Sequence, residues 1–191
     1  MNTTNQYFAT CAKGVEDLLQ KELEWQGVEN SKLQTGGVAF SGDIEAALRA
    51  CMWSRVASRI LLQLKDFEIS NDDDLYREVI SIDWSEHFDA SNTLAIDCFS
   101  SHSTVNNSHF ATLRVKDAVV DQFMQNAQLR PSIDREAPDI RINVYLSDKQ
   151  CLIYLDLSGE ALHKRGYRAI SGSAPLRETL AAAMLYRAKW Q

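Results

Sequence analysis

Seven residues near the end of the chain combine side chains that commonly contact a polyanion. The run Leu162-His163-Lys164-Arg165-Gly166-Tyr167-Arg168 places three cations and one aromatic ring close together. Arg and Lys bind phosphate oxygens, and a tyrosine ring can stack on a base. Gly166 permits a turn that a side chain would obstruct. The run predicts either a nucleic-acid contact or a solvated basic turn that pairs with acidic residues elsewhere in the chain.

Lys13 is a second candidate for a phosphate contact. It lies in Thr10-Cys11-Ala12-Lys13-Gly14, which joins a predicted strand to a predicted helix. The free N–H groups of a helix N-terminus attract anions. The sequence has no Gly-x-Gly-x-x-Gly run and no Walker loop, so we do not expect nucleotide binding.

Arg114 and Lys116 form a third candidate. They stand at the start of a helix that the apolar spacing predicts over 111–127. Cations are disfavoured at that end of a helix unless an anion is nearby, and an RNA phosphate would be such an anion. The alternative is pairing within the chain, with Asp117 or Asp121 as the acidic partner.

Residue types that carry catalysis or bind metals lack the necessary spacing. The histidines do not pair at metal or triad spacing, and the cysteines are scattered through mainly apolar segments. We therefore predict buried thiols in a reducing compartment, with no catalytic residue, no metal and no cofactor site in this chain. These residues are His87, His102, His109 and His163, and Cys11, Cys51, Cys98 and Cys151.

Charge is distributed unevenly along the 191 residues. Residues 161–191 hold six Lys or Arg and one Glu, which gives +5. Because the whole chain carries −6, the first 160 residues carry −11. An acidic body with a basic end can still bind phosphates locally, because binding follows the local field. The acidic body alone favours a different hypothesis, a regulatory domain that binds a protein partner.

Composition indicates a folded domain or two small ones. Hydrophobic residues make up 45% and charged residues 24%, enough for a core. The sequence contains no apolar run of about 18 residues that would span a membrane. The N-terminus lacks the basic and apolar regions of a signal peptide. We therefore expect a cytoplasmic location and no membrane partner.

The pattern of apolar residues predicts two α+β units in tandem. The first 69 residues read β-α-β-β-α-β, with a hairpin at Gly36-Gly37 and a helix capped by Asp43, which is a ferredoxin-like order. Asn71 and the acids after it predict a helix N-cap and a domain joint. The second unit reads α-β-α-β-β, and the basic run follows it. A helix with Pro175 in its first turn is predicted over 174–185.

The order and spacing of these motifs resemble the N-terminal part of the THUMP-containing guanine-N2 methyltransferases that act on 23S ribosomal RNA. The resemblance covers essentially the whole chain. It rests on motifs from both units and from the segment after them: Cys11 to Leu19, Gly36 to Gly42, Ser58 to Leu62, Asp83-Trp84, Leu113 to Asp121, Pro138 to Ile142, Asp156 to Gly159, Leu162 to Arg168 and Ala174 to Leu185.

The resemblance implies a division of the chain. Residues 1–69 would be a ferredoxin-like domain and 70–168 a THUMP RNA-binding domain. Residues 169–191 would be a linker and the start of a class I methyltransferase domain that this sequence lacks.

The resemblance also implies a function. The full-length parent would use S-adenosylmethionine to methylate the N2 of a guanine in 23S ribosomal RNA. This chain would bind structured RNA in the cytoplasm and would be inactive alone. The resemblance implies six residues of this chain as RNA contacts and none as catalysts: Lys13, Arg114, Lys116, Lys164, Arg165 and Arg168. The alternative is the same module in a tRNA-modifying enzyme, either a guanine methyltransferase or a thiouridine synthetase.

Overall fold

The computed structural model describes residues 4–101, 108–168 and 172–190. The chain divides into two compact units: Met1–Leu62 with Leu157–Gln191, and Gln63–Asp156. The first unit is therefore discontinuous in sequence. The domain boundaries predicted from the sequence, after residues 69 and 168, differ from the limits of these two units. They remain predictions, because a division by compactness does not test where a domain of a family ends. Residues 169–171, where the predicted linker starts, lie outside the described residues, as does His102.

The first unit begins with the predicted β-α-β-β-α-β order. Its antiparallel sheet has the strand order β2-β3-β1-β4, so the first strand lies between the third and the fourth. The elements are β1 Asn5–Thr10, α1 Glu16–Trp25, β2 Asn30–Gln34, β3 Gly37–Gly42, α2 Ile44–Trp53 and β4 Arg59–Glu68, of which the residues from Gln63 onward are counted in the second unit.

Local signals in the sequence position these elements. The Asp43 side chain accepts a hydrogen bond of 2.8 Å from the N–H of Ala46, which caps α2 as predicted. Gly37 opens β3, and a Cβ there would lie 2.2 Å from the carbonyl oxygen of Ala9. Only glycine therefore allows β1 and β3 to approach this closely.

The second unit is also mixed α and β. Its sheet has the order β8-β7-β5-β6, in which β7 pairs antiparallel with β8 while β5 pairs parallel with β7 and β6. The elements are α3 Asp72–Ile80, a 3₁₀ turn Trp84–Glu86, β5 Thr93–Ser101, α4 Ser108–Ala127, β6 Ser132–Ile133, β7 Ile140–Ser147 and β8 Gln150–Asp156.

Trp84 anchors the core of the second unit. Its side chain is fully buried, and its indole N–H donates a hydrogen bond of 3.1 Å to the carbonyl of Val79. Its ring lies 6.0 Å from that of Phe88. The predicted N-cap of α3 is confirmed, because the Asn71 side chain accepts from the N–H of Asp74 at 2.9 Å.

Helix α4 begins earlier than the sequence predicted. It starts at Ser108, which places Arg114 and Lys116 in its second and third turns. The electrostatic effect of a helix end falls off within its first turn. The argument that these two cations stand at a helix start and require an anion is therefore wrong.

The last helix, α5 Glu178–Arg187, starts later than predicted. Pro175 lies three residues before it, so the prediction that Pro175 occupies its first turn is wrong. Helix α5 belongs to the first unit, where it buries Thr179 and Ala183. Ala183 and Leu162 join the hydrophobic core that β1, β3, α1 and α2 build.

Candidate nucleic-acid interface

An open cleft in the first unit contains most of the basic run. Its volume is about 540 Å³, and its wall combines the turn over 163–168 with the segment that leads into α5. The residues around it include three cations and two acids: Lys164, Arg168 and Arg177, with Glu160 and Glu178. The basic run and the start of α5 thus form one surface.

Arg165 fixes the turn to the end of α2. Its guanidinium donates to the carbonyls of Cys51 at 2.8 Å, Met52 at 2.8 Å and Ser54 at 2.9 Å. Its Nε donates to the carbonyl of Leu162 at 3.0 Å. A cation at a helix C-terminus satisfies carbonyls that lack helical partners and complements the helix dipole. Four of the five N–H donors of Arg165 are therefore engaged within the fold.

The residues beside Arg165 face solvent. Gly166 has φ of +75°, the left-handed conformation that glycine adopts without strain. Tyr167 is 79% exposed. The Lys164 side chain is 60% exposed and lies 3.8 Å from Glu160, an ion pair that water screens strongly. The turn therefore presents a ring and a cation side by side.

Arg168 and Arg177 continue this surface. The Nε of Arg168 lies 3.4 Å from Glu178, and its guanidinium donates to the carbonyl of Leu176 at 3.0 Å. Arg177 is exposed and precedes α5 directly. It is one of the six cations of residues 161–191. Its proximity to the turn depends on the fold and has no local signal in the sequence.

Lys13 is exposed, but the backbone donors beside it are occupied. The Glu16 carboxylate accepts from the N–H groups of Gly14 at 2.7 Å and Gly36 at 3.0 Å. These hydrogen bonds, that of Gly36 first, lower the pKa of Glu16 below its ordinary 4.5. The chain thus supplies its own anion at the start of α1, beside Lys13, and an external phosphate would have to compete with the Glu16 carboxylate there.

Arg114 and Lys116 belong to the second unit and both pair with acids there. Arg114 lies 2.6 Å from Asp73, and its guanidinium stands 4.9 Å from the centre of the Tyr76 ring. Lys116 lies 2.8 Å from Asp117. Both basic side chains are about one-quarter to one-third exposed. An RNA phosphate would have to compete with these acids.

Among the described residues, no three His, Cys, Asp or Glu side chains come together as a metal site. Burial raises the pKa of Cys98 to about 11, which keeps that thiol protonated. No helix in the described ranges is both long enough and apolar enough to cross a membrane.

Two family models match the chain. The RlmL ferredoxin-like domain matches residues 6–61, and the THUMP domain matches residues 70–156. The matches correspond to the β-α-β-β-α-β segment and to the region of the second unit.

Relatives with known names and structures agree with these matches. The ribosomal RNA large subunit methyltransferase K/L of Magnetococcus marinus is 46% identical over 97% of this chain. A solved Listeria monocytogenes protein, a predicted N6-adenine-specific DNA methylase, is 29% identical with a TM-score of 0.87 and matches 98% of this chain and 49% of its own. SMU.472, a putative methyltransferase complexed with SAH, is 27% identical with a TM-score of 0.85 and matches 100% of this chain and 50% of its own.

The chain spans about a quarter of the curated relatives it matches, 26% of the Magnetococcus protein. Both matched domains occur here in the order that the resemblance implied, and the identity extends over nearly the whole chain. The chain belongs to the ribosomal RNA large subunit methyltransferase K/L family, as its ferredoxin-like and THUMP region.

Proposed function

We propose that this chain is the RNA-docking region of a cytoplasmic enzyme that methylates the N2 of a guanine in 23S ribosomal RNA. The parent would take its methyl group from S-adenosylmethionine. The observation that carries the proposal is the cationic cleft, in which Lys164, Arg168 and Arg177 line one open surface next to the exposed Tyr167. Phosphates of a folded RNA would bind along this edge.

Under this proposal the basic residues have two different roles. Lys164, Arg168 and Arg177 contact phosphates, whereas Arg165 positions the turn because α2 carbonyls occupy its donors. Lys13 would add a peripheral contact. Arg114 and Lys116 pair with aspartates, as Arg168 pairs with Glu178, so each of these three cations would bind a phosphate by sharing or exchanging its carboxylate partner.

We further propose that methyl transfer takes place in a part of the parent beyond this chain. The sequence has no glycine-rich cofactor loop and no Asn-Pro-Pro-Tyr-type motif. The chain alone would therefore bind RNA without methylating it. Mass spectrometry of ribosomal RNA from cells that lack the parent gene tests the activity, because one N2-methylguanine should disappear.

Other substrates have less support. The Listeria protein is named a predicted DNA methylase at 29% identity, while the relatives at 44–48% identity are named ribosomal RNA methyltransferases. A tRNA-modifying parent is not favoured for the same reason. A purely protein-binding domain is not favoured either, because the relatives over the full chain are named ribosomal RNA methyltransferases.

Salt dependence tests the docking surface. A chain that neutralises about four phosphates should bind structured RNA with a log–log salt slope near −3, at roughly −0.7 to −0.9 per contact. The double variant Lys164→Ala with Arg177→Ala should flatten this slope by about 1.5, since two contacts are lost.

The matched control removes two exposed lysines of the same unit outside the cleft, Lys21→Ala with Lys32→Ala. It should leave the slope within the error of the measurement. An equal change in both double variants would reject the cleft as the docking surface. Absence of RNA binding at low salt would reject the proposed function.

A further inference from the structure

A second groove adjoins the cationic cleft. Its volume is about 440 Å³, and its lining is mostly apolar. It lies between the end of α2, the basic turn and the outer side of α5. The residues that give it apolar character are Met52, Trp53, Leu162, Ala181, Ala182 and Leu185. His163, Tyr167, Arg168 and Glu178 line both the groove and the cleft, so the two are continuous.

Two aromatic rings line this groove without being buried in it. Trp53 is 65% exposed, and Tyr167 is 79% exposed. Aromatic side chains of this size dominate cores and interfaces, and at this exposure they contribute little to the core of their own unit. Each therefore has a face available to a planar ligand.

Arg165 joins the two backbone segments that carry these rings. Trp53 is the last residue of α2, and Arg165 binds the carbonyls on both sides of it, those of Met52 and Ser54. Tyr167 follows Arg165 by two residues. Because one guanidinium joins these two backbone segments, the backbone that carries both rings is fixed at one groove before any ligand arrives. Such preorganisation lowers the entropic cost of binding.

The charges around the groove indicate the class of ligand. The exposed Arg55 and the shared Arg168 line it, and Lys164 and Arg177 lie in the adjoining cleft. A ligand with an apolar planar part and a regularly spaced anionic part matches both surfaces. An unpaired RNA segment has this composition, with bases that stack and phosphates that bind cations. A duplex does not, because its base faces are stacked inside.

We propose that this groove binds one or more unpaired bases of the RNA, stacked on Trp53 and Tyr167, while the adjoining phosphates lie on the cationic cleft. The proposal rests on the proposed RNA-docking function and specifies its substrate as a single-stranded loop or bulge beside a folded region. It gives the two rings a role in choosing between paired and unpaired RNA.

Binding of a short single-stranded RNA oligonucleotide, compared with the same oligonucleotide annealed to its complement, tests the proposal. Tyr167→Leu and Trp53→Leu should each weaken single-strand binding by about tenfold, the loss typical of one stacked base. Tyr167→Phe and Trp53→Phe keep a ring and should bind nearly as well as the unchanged chain. Binding of the duplex should change little in all four variants.

The matched control is Trp25→Leu. Trp25 is 76% exposed on α1 and does not line the groove, so its loss should not affect binding. Thermal unfolding of each variant verifies that it is folded. Unchanged single-strand binding in the Leu variants, or an equal loss for single strand and duplex, overturns the base-binding groove while the docking function stands. If neither RNA binds at low salt, the docking function fails and the groove proposal fails with it.

Discussion

The carboxylate of Glu22, on α1, accepts a hydrogen bond of 2.5 Å from the hydroxyl of Ser54, at the end of α2. The same carboxylate accepts from the N–H groups of Arg55 at 2.8 Å and Val56 at 3.2 Å. Glu22 is only 4% exposed. A buried carboxylate is tolerated when several donors compensate its lost hydration. This one supplies the acceptor for the backbone where α2 ends.

Replacing Glu22 should therefore destabilise the first unit. Glu22→Ala leaves a hydroxyl and two N–H groups without their acceptor, and we expect the free energy of unfolding to fall by about 2–4 kcal/mol. Glu22→Gln keeps one acceptor oxygen and should cost less. Urea denaturation measures both. The control is Glu24→Ala, at an exposed site on the same helix, which should change stability by less than about 0.5 kcal/mol. Equal losses of unfolding free energy at positions 22 and 24 would contradict the role of Glu22 as a buried acceptor.

Substitutions at Arg165 and Lys164 should affect different properties, the first mainly stability and the second mainly RNA binding. Arg165→Ala leaves the α2 carbonyls without their donor and should lower the free energy of unfolding by about 1–3 kcal/mol. Arg165→Lys should recover little, because an ammonium lacks the planar fork that reaches several acceptors. Lys164→Ala should keep stability within about 0.5 kcal/mol and weaken RNA binding. The positioning role of Arg165 would be wrong if Arg165→Ala had the stability of the unchanged chain.

The attachment of α5 to α1 should weaken in acid. Arg187 holds the Asp17 carboxylate through contacts of 2.5 and 2.7 Å, and this hydrogen bonding lowers the pKa of Asp17 below its ordinary 3.8. Because the folded pKa is the lower one, the stabilisation is complete above 3.8 and is lost as the pH falls through the folded value.

Asp17→Asn should remove this part of the pH dependence. Urea denaturation from about pH 6 down to about pH 3 should show a shallower loss of stability in the variant than in the unchanged chain. The remaining slope comes from other carboxylates with lowered pKa, such as Glu16. Identical slopes would show that the ion pair contributes nothing to stability in solution.

Thiol reactivity tests the placement of the cysteines. Burial raises the pKa of Cys98 to about 11 and, together with Glu16 and Asp17, that of Cys11 to about 12. Cys151 is buried, and its pKa is raised as well. Since the thiolate is the reactive form, these three thiols should react slowly with a disulfide reagent at about pH 8. In urea all four cysteines should react rapidly. Rapid reaction of these three thiols in the folded chain would contradict the core described above.

The sequence predicted those parts of the fold that depend on neighbouring residues. The caps Asp43 and Asn71 act on N–H groups three residues away, and the hairpin at Gly36-Gly37 needs only its own turn. The spacing of apolar residues predicted the longer helices and strands, because that spacing also depends on residues close together in the sequence. The two-residue strand β6 was missed because so short a strand has no periodicity, and its pairing with β5 is set by the tertiary fold.

The site was less predictable because its contacts are distant in sequence. The basic run was recognisable as a group of cations, but the carbonyls that occupy Arg165 lie more than 100 residues earlier. Nothing in the sequence distinguishes Glu22 from the other acidic residues of α1, because its partner Ser54 lies on a different element. Whether a cation is free to bind a phosphate depends on such partners, which composition and spacing do not specify.

The interleaved order of the two units has a consequence for biosynthesis. Residues 63–156 form their unit from one continuous stretch, so that unit can fold as soon as the stretch has left the ribosome. The other unit needs Leu162 and Ala183 for its hydrophobic core, and both lie more than 100 residues after β4 begins. Until they emerge, we expect the apolar core of this unit to stay partly uncovered and therefore prone to aggregation.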